Sequence, residues 1–281
     1  MREFLLKNVI FDLPGIGEKD LAPMRESLEK CGIAAFCTSE NAAYQGSSLL
    51  VAGRASKLLT NKALFYNFYP DGAEYVFEGS DIPHPDELTP DYLERVYRRI
   101  ENIPWDILET DRLVIKETSL DDLDAFYEIY ADPEITRYTE DLFADRADEE
   151  KYTIDYRENI YKFYGFGMWT VMRKVSDGAD EAGRCAGGED CEIIGRAGIS
   201  YREGFDIPEL GFIIGTKYQR QGYAYEACRA CIEYVHREHD ISELQSLVYP
   251  DNAASINLCI KLGMHDTGEM FEGMKIYRMS V

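Results

Sequence analysis

The segment from Glu209 to Val235, ELGFIIGTKYQRQGYAYEACRACIEYV, constrains this chain more than any other. Its opening apolar run predicts a buried strand. A polar turn follows: Gln219, Arg220, Gln221, Gly222, Tyr223, Ala224. Then Ala224, Ala227, Cys228, Cys231 and Val235 recur at helical spacing, one apolar face of a long helix. A strand that feeds a helix through such a turn presents unpaired N–H groups and the positive end of the helix dipole at one spot. That is an anion site, suited to phosphate. Gly222 lets the backbone come close to the anion, and the small Ala224 lets the helix start tight against the strand.

The rest of the chain divides in two. Over residues 1–80, LKNVIFDL and IAAFCTS read as strands and EKDLAPMRESLEKCG as a helix stopped by Gly32. SSLLVAGRASKLL has helical spacing, and ALFYNFY and AEYVFEG are strand candidates. This β-α-β rhythm predicts a small parallel sheet with helices on its faces. After the proline-rich PHPDELTP, PDYLERVYRRIEN is a helix with Pro90 near its start. IPWDILET leads into the second part, so the expected domains are 1–105 and 110–281. In the second, RLVIKET, GMWTVMRK, CEIIGRAGISY, ELGFIIG and LQSLVY read as strands. The segments headed by SLDDL and EEKYT, with ASINLCIKLG, read as helices, the first with Ser119 as N-cap. DTGEMF and MKIYRMS complete a hairpin.

Composition excludes several classes. Hydrophobic residues make up 45 %, enough for packed cores and too many for a disordered chain. No apolar run approaches the roughly 18 residues of a membrane helix, and the N-terminal MREFLLKNVIFDLPG lacks a cleavage site. The net charge of −22 argues against nucleic acid, whose binders need basic patches. It suits a cationic acceptor, or simply solubility. Of seven scattered cysteines, Cys31, Cys37, Cys228, Cys231 and Cys259 sit in apolar, periodic stretches and read as buried, reduced thiols of a cytoplasmic protein. Cys228 and Cys231 lie inside a helical pattern with no second pair at zinc spacing, so no metal site is expected. Cys185 and Cys191 flank a glycine-rich loop tip, where a redox bridge is the alternative.

QRQGYA, with SLVYPDNAASINLCIKLGM downstream, resembles the GNAT superfamily of N-acetyltransferases, whose signature is Gln/Arg-x-x-Gly-x-Gly/Ala. DRLVIKETSLDDLDAFYEIYADPEITRY is similar to the ribosomal-protein alanine acetyltransferase branch. The resemblance spans roughly residues 110–281. It implies an α/β (α+β) fold with a mixed, mostly antiparallel central sheet flanked by helices, preceded here by a small Rossmann-like α/β domain. It implies acetyl-CoA as co-substrate and a primary amine as acceptor, either a protein N-terminus or a small molecule.

Residue by residue, the resemblance implies that the amides of Gln219, Arg220, Gln221, Gly222, Tyr223 and Ala224 hold the CoA pyrophosphate. Backbone groups of Phe212, Ile213 and Ile214 pair with the pantetheine arm like an added strand. Asn252 and Ser255 sit near the cofactor sulfur; Asn252 also fits a helix cap. Chemistry requires a proton acceptor for the amine. Glu209, at the head of ELGF, is the candidate base, or else a solvated strand-end carboxylate. Relatives place a Tyr seven residues after the Asn to protonate the thiolate. Here Cys259 stands there, leaving Ser255, water or no acid at all. The alternative function is an acyl-CoA-binding module that has lost catalysis.

Residues 1–85 show a weaker likeness to the haloacid-dehalogenase-like fold, through IFDLPG, CGIAAFCTSE and GAEYVFEGSDIPHPDEL. That family needs two aspartates two positions apart. Here Asp12 is followed by Leu13 and Pro14, so the implied domain is degenerate and serves packing, homodimer contact or substrate shaping. The alternative is an unrelated small α/β cap.

Overall fold

The computed structural model describes residues 4–13, 18–37, 47–52, 63–65, 88–175 and 191–281. The chain forms two compact units, Met1–Trp105 and Asp106–Val281.

In the first unit, β1 (Asn8–Asp12), α1 (Glu18–Lys30), β2 (Ala34–Cys37), β3 (Ser48–Ala52), β4 (Ala63–Phe65) and α2 (Pro90–Ile100) follow in order. The sheet runs β2-β1-β3-β4, every pairing parallel, with Asn8 opposite both Ala34 and Ser48. Parallel strands need both faces covered, and Val9, Phe11, Leu49 and Val51 are buried with Leu28 of α1 and Leu93 and Val96 of α2. Residues 48–52 correct the helical reading of SSLLVAGRASKLL. Leu49–Ala52 are buried in register with β1, and sheet pairing on a buried run overrides local helical spacing. The buried Glu94 accepts the N–H groups of Leu5 (3.1 Å) and Leu6 (2.8 Å) and pairs with Arg98 (2.6 Å). That satisfies a carboxylate which would otherwise be costly to bury. Asp12 ends β1 and is buried. Pro14 and AEYVFEG lie outside the described residues.

The second unit is a single eight-stranded sheet, β11-β12-β10-β9-β8-β7-β6-β5. Its strands are β5 (Asp106–Glu109), β6 (Leu113–Lys116), β7 (Met168–Lys174), β8 (Cys191–Ser200), β9 (Glu209–Ile214), β10 (Glu243–Val248), β11 (His265–Phe271) and β12 (Met274–Ser280). All neighbours are antiparallel except β9 and β10. This is the mixed, mostly antiparallel α/β sheet expected. Because β5 pairs with β6, residues 106–109 belong to this sheet, four residues ahead of the expected start at 110. Trp105 and Asp106 mark the change of unit.

The helices are α3 (Leu123–Tyr130), α4 (Pro133–Thr136), α5 (Arg146–Tyr156), α6 (Lys162–Tyr164), α7 (Tyr223–His239) and α8 (Ala253–Leu262). A wider turn, Arg157–Tyr161, joins α5 to α6, and Gly165 closes them at φ 77°. Such a turn resets the helix phase. Tyr156 and Tyr161 come edge to face at 5.2 Å, with the Tyr156 hydroxyl taking the Met168 N–H (2.9 Å). Ser119 precedes α3 with its N–H held by the Asp122 carboxylate (3.0 Å). Among the described residues no helix is long and apolar enough to cross a membrane.

Candidate active site

The one parallel junction of the sheet is also its weakest. β9 and β10 share a single register pair, Glu209 with Gln245. There Gln245 N–H donates to Pro208 C=O (3.0 Å) and Ser246 Oγ to Leu210 C=O (2.8 Å). Beyond Leu210 the ladder ends and the strands part. Gly215 N–H donates to Ile194 C=O (2.9 Å) on the β8 side, and backbone groups alternate sides along a strand. Gly211 and Ile213 therefore turn their N–H and C=O groups to β8, while Phe212 and Ile214 turn theirs into the opening. This narrows the expected set: Ile213 spends its backbone on the sheet, so Phe212 and Ile214 carry the open edge. Gln219 Nε2 already donates to Ile214 C=O (2.9 Å), which leaves the Ile214 N–H and both groups of Phe212.

The open edge leads to the turn before α7. Arg220 (φ 61°) and Gly222 (φ 87°) both adopt the left-handed conformation. The first bond of α7 is Glu226 N–H to Gly222 C=O (3.1 Å), so the amides of Tyr223, Ala224 and Tyr225 precede the helical ladder. No side chain caps Gly222. A β-carbon at Gly222 would stand 3.4 Å from Arg112 Nη2, and Arg112 is the residue the sequence reading missed. Its Nε and Nη2 grip Glu226 Oε2 (2.7 and 2.6 Å), its Nη1 donates to Gln221 C=O (3.0 Å), and its guanidinium lies 4.5 Å from the Tyr223 ring centre. Thr110 Oγ1 adds a bond to Glu226 Oε1 (2.5 Å). Burial alone would raise the Glu226 carboxyl, but the bonds from Thr110 and Arg112 outweigh it and hold the group below the ordinary carboxylate range.

Glu209 stands where the strands begin to part. Its Oε2 accepts from Arg202 Nε at 2.6 Å, and its Oε1 has only a longer contact, 3.5 Å, to Arg202 Nη2. Oε1 is thus the freer oxygen for a proton or a water. Asn252 caps α8, its Oδ1 accepting Ser255 N–H (3.1 Å). Arg137 and the Tyr138 hydroxyl reach Asp251 Oδ2 (each 3.1 Å), tying the loop after α4 to the start of α8.

Cys259 is fully buried, and burial pushes its thiol up to about 11, opposed by contact with Ser246. A free thiol titrates near about 8.5, so Cys259 is a weaker acid than the CoA thiol whose thiolate it would have to protonate. Cys228 and Cys231 are likewise buried, thiols raised by desolvation. Cys191 is in a disulfide, and the rest of its loop lies outside the described residues.

Residues 112–265, over half of the chain, match the acetyltransferase (GNAT) domain. The chain is 27 % identical over 161 residues to the uncharacterized protein YkkB of Bacillus subtilis, covering 56 % of this chain and 84 % of that one. It is 26 % identical to the uncharacterized N-acetyltransferase YnaD of the same organism, covering 57 % and 84 %. It is 35 % identical over 82 residues to the ribosomal protein uS5-alanine N-acetyltransferase of Escherichia coli, covering 28 % and 42 %. Acetyltransferases of this family use acetyl-CoA as co-substrate. With a sheet parted beside a glycine turn at a helix N-terminus, and a domain match over most of the second unit, this chain belongs to the GNAT acetyltransferase family.

Proposed function

We propose that the second unit transfers the acetyl group of acetyl-CoA to a primary amine by direct attack. The observation that carries this reading is the parting of β9 from β10 immediately before the Gly222 turn. The amides at Gly222–Tyr225 would hold the pyrophosphate. Phe212 and Ile214 would bond the pantetheine arm as an added strand. The thioester would then lie near Leu210–Phe212, with an open N–H for the tetrahedral oxyanion. Glu209 Oε1 would take the amine's proton, directly or through water. Ser255, half-buried on α8, or water would protonate the leaving thiolate, because Cys259 is too weak an acid. The acceptor is a small-molecule amine or a protein N-terminus; the likeness to the uS5-alanine enzyme favours neither over so short a span. Calorimetry with acetyl-CoA, followed by thiol release across an amine panel, tests the reading. Binding without turnover of any amine would favour the alternative, an acyl-CoA-binding module, which the buried Cys259 at the acid position motivates.

For the first unit, a degenerate haloacid-dehalogenase-like domain without phosphatase activity is the reading favoured. Its parallel sheet with Asp12 at the carboxyl end of β1 supports that fold. Pro14, where the second aspartate would stand, argues against the activity. Full-length protein should release no phosphate from generic esters with magnesium. Release that disappears in Asp12→Ala would overturn the assignment.

A further inference from the structure

Arg196, near the middle of β8, carries a charge that the fold leaves unanswered. Its register row is Thr170–Arg196–Ile213, and its guanidinium lies 5.0 Å from the centre of the Phe126 ring on α3. Its Nε is inaccessible to solvent and has no hydrogen-bond partner. The hydroxyls of Tyr130, Tyr156 and Tyr161 lie within its electrostatic reach, and Tyr130 within hydrogen-bonding reach. These are neutral groups: burial raises all three, Tyr156 to about 12. No carboxylate of the described residues forms an ion pair with Arg196. The residue as a whole is only partly buried. The aromatic wall beside it runs from Tyr152, which is exposed, to the half-buried Tyr156 and the buried Tyr161.

A buried charge without a counter-ion costs several kcal/mol, so folds pair it or shed it. Other arginines on or beside this sheet are paired: Arg112 with Glu226, Arg173 with Glu192, Arg202 with Glu209, Arg278 with Glu269. Arg196 shares its face with Ile213, which packs against α3. Alternate residues of a strand share a face, so Glu209 is on it too. Ile213, in the Arg196 row, is two or three residues from the point where β9 parts from β10 and four from Glu209, roughly 7–10 Å and 13 Å along the strand, a span that the two long side chains shorten. An acceptor whose amine is at the parting and whose anionic group is a few bonds away would span that distance.

We propose that Arg196 binds a carboxylate of the acceptor, so that the acceptor is a zwitterion: its ammonium beside Glu209, its carboxylate on Arg196. This inference rests on the amine acetyltransferase reading above and names its substrate class. The carboxylate can come from the side chain of a free acidic amino acid or from an acidic residue heading a peptide. The shared chemistry is a primary amine with a carboxylate a few bonds away.

The test uses full-length protein, acetyl-CoA and matched acceptors: free Glu against free Gln, and peptides headed by Glu against Gln. The wild type should prefer the carboxylate member by roughly 10–100-fold in kcat/KM, the scale of one buried charge pair. The pair that shows the preference identifies the source. Arg196→Gln should bring the ratio to about 1 through KM, with acetyl-CoA affinity unchanged, and Arg196→Lys should keep part of it. Equal turnover of both members by the wild type, or a preference that survives in Arg196→Gln, overturns the proposal. If acetyl-CoA binds and no amine is acetylated, the acetyltransfer reading fails by itself. The inference is then judged by melting temperature in the presence of CoA. Stabilisation by the carboxylate-bearing amines that Arg196→Gln loses supports it; no stabilisation of the wild type overturns it.

Discussion

Two arginines frame the candidate site in opposite ways. Arg112, beside the Gly222 turn, is paired with Glu226 through Nε and Nη2 and bonded to the Gln221 carbonyl through Nη1. Arg196, on the face of β8 that meets α3, has only rings and neutral hydroxyls about it. A guanidinium paired to a carboxylate fixes the shape of its surroundings; one without a counter-ion keeps its charge for a ligand. On the reading proposed above, the first would shape the cofactor turn and the second would meet the acceptor.

The largest effect should come from breaking the prepared side at its tightest point. Gly222→Glu is expected to lower acetyl-CoA affinity at least about 100-fold, near 2.8 kcal/mol. The new side chain would occupy the phosphate's place and set its carboxylate against Arg112. Stability should fall by only about 1–2 kcal/mol, the cost of a side chain in the left-handed conformation. Calorimetric titration decides this, and unchanged affinity would remove the turn from the mechanism.

Next is the reactive end. Glu209→Gln should lower turnover by roughly 10²–10⁴-fold if Glu209 takes the proton, with acetyl-CoA affinity unmoved and the defect easing at high pH, where more amine is already neutral. A raised acceptor KM with turnover intact would make Glu209 a positioning group. A pH–rate profile of both proteins distinguishes these, and full activity would leave proton removal to water.

Arg112→Gln sharpens the contrast between the arginines. It should weaken acetyl-CoA by roughly 3–10-fold, as expected for a partly exposed pair of good geometry, and leave acceptor selectivity alone. S-acetylpantetheine, which lacks the pyrophosphate, should bind both proteins alike. The Arg112–Glu226 pair also has a pH signature. The Glu226 carboxyl is held low in the fold, so its contribution is present above the ordinary carboxyl value of 4.5 and is lost as pH falls through its lowered value. Acetyl-CoA binding that is indifferent to acid down to unfolding would contradict the latch.

The smallest expected effects are on stability. Asn252→Ala should cost about 1 kcal/mol through the lost cap, whereas Asn252→Asp keeps it. Affinity that drops in both variants would show a cofactor contact besides the cap. At the alkaline end the buried thiols act together. Cys259 is raised from 9.0 to about 11, and Cys228 and Cys231 are raised too. Groups raised in the fold lose their contribution as pH rises past their unfolded value, so the melting temperature should decline from about pH 9 upward. Replacing Cys259 by Ala should lessen that decline.

Much of this was legible locally. The turn at Gly222 and the helix behind it follow from Gly, Ala and a repeating apolar face, features that act within a few residues. Gly263 closes α8 as the sequence suggests, at φ 97°. The errors arose where distant segments decide. Leu49–Ala52 have helical spacing yet pair with β1, since buried sheet hydrogen bonds outweigh a weak local preference. Ile213 could not be separated from Phe212 and Ile214 until the register with β8 showed which way its backbone turns.

By itself the sequence pointed to the family, to most elements of the second unit in their order and to a glycine turn at a helix N-terminus, because each rests on short-range spacing and backbone freedom; β5 and α4 it did not show. Only the tertiary structure decided which charges are answered. Arg112 and Glu226 lie 114 residues apart and meet in the fold. Arg202 reaches Glu209 across the β8–β9 connection. Arg196 has no carboxylate paired to it among the described residues. Charge pairing between different elements depends on distance and burial in three dimensions, and unlike the helical spacing of Glu94 and Arg98 no short pattern along the chain encodes it.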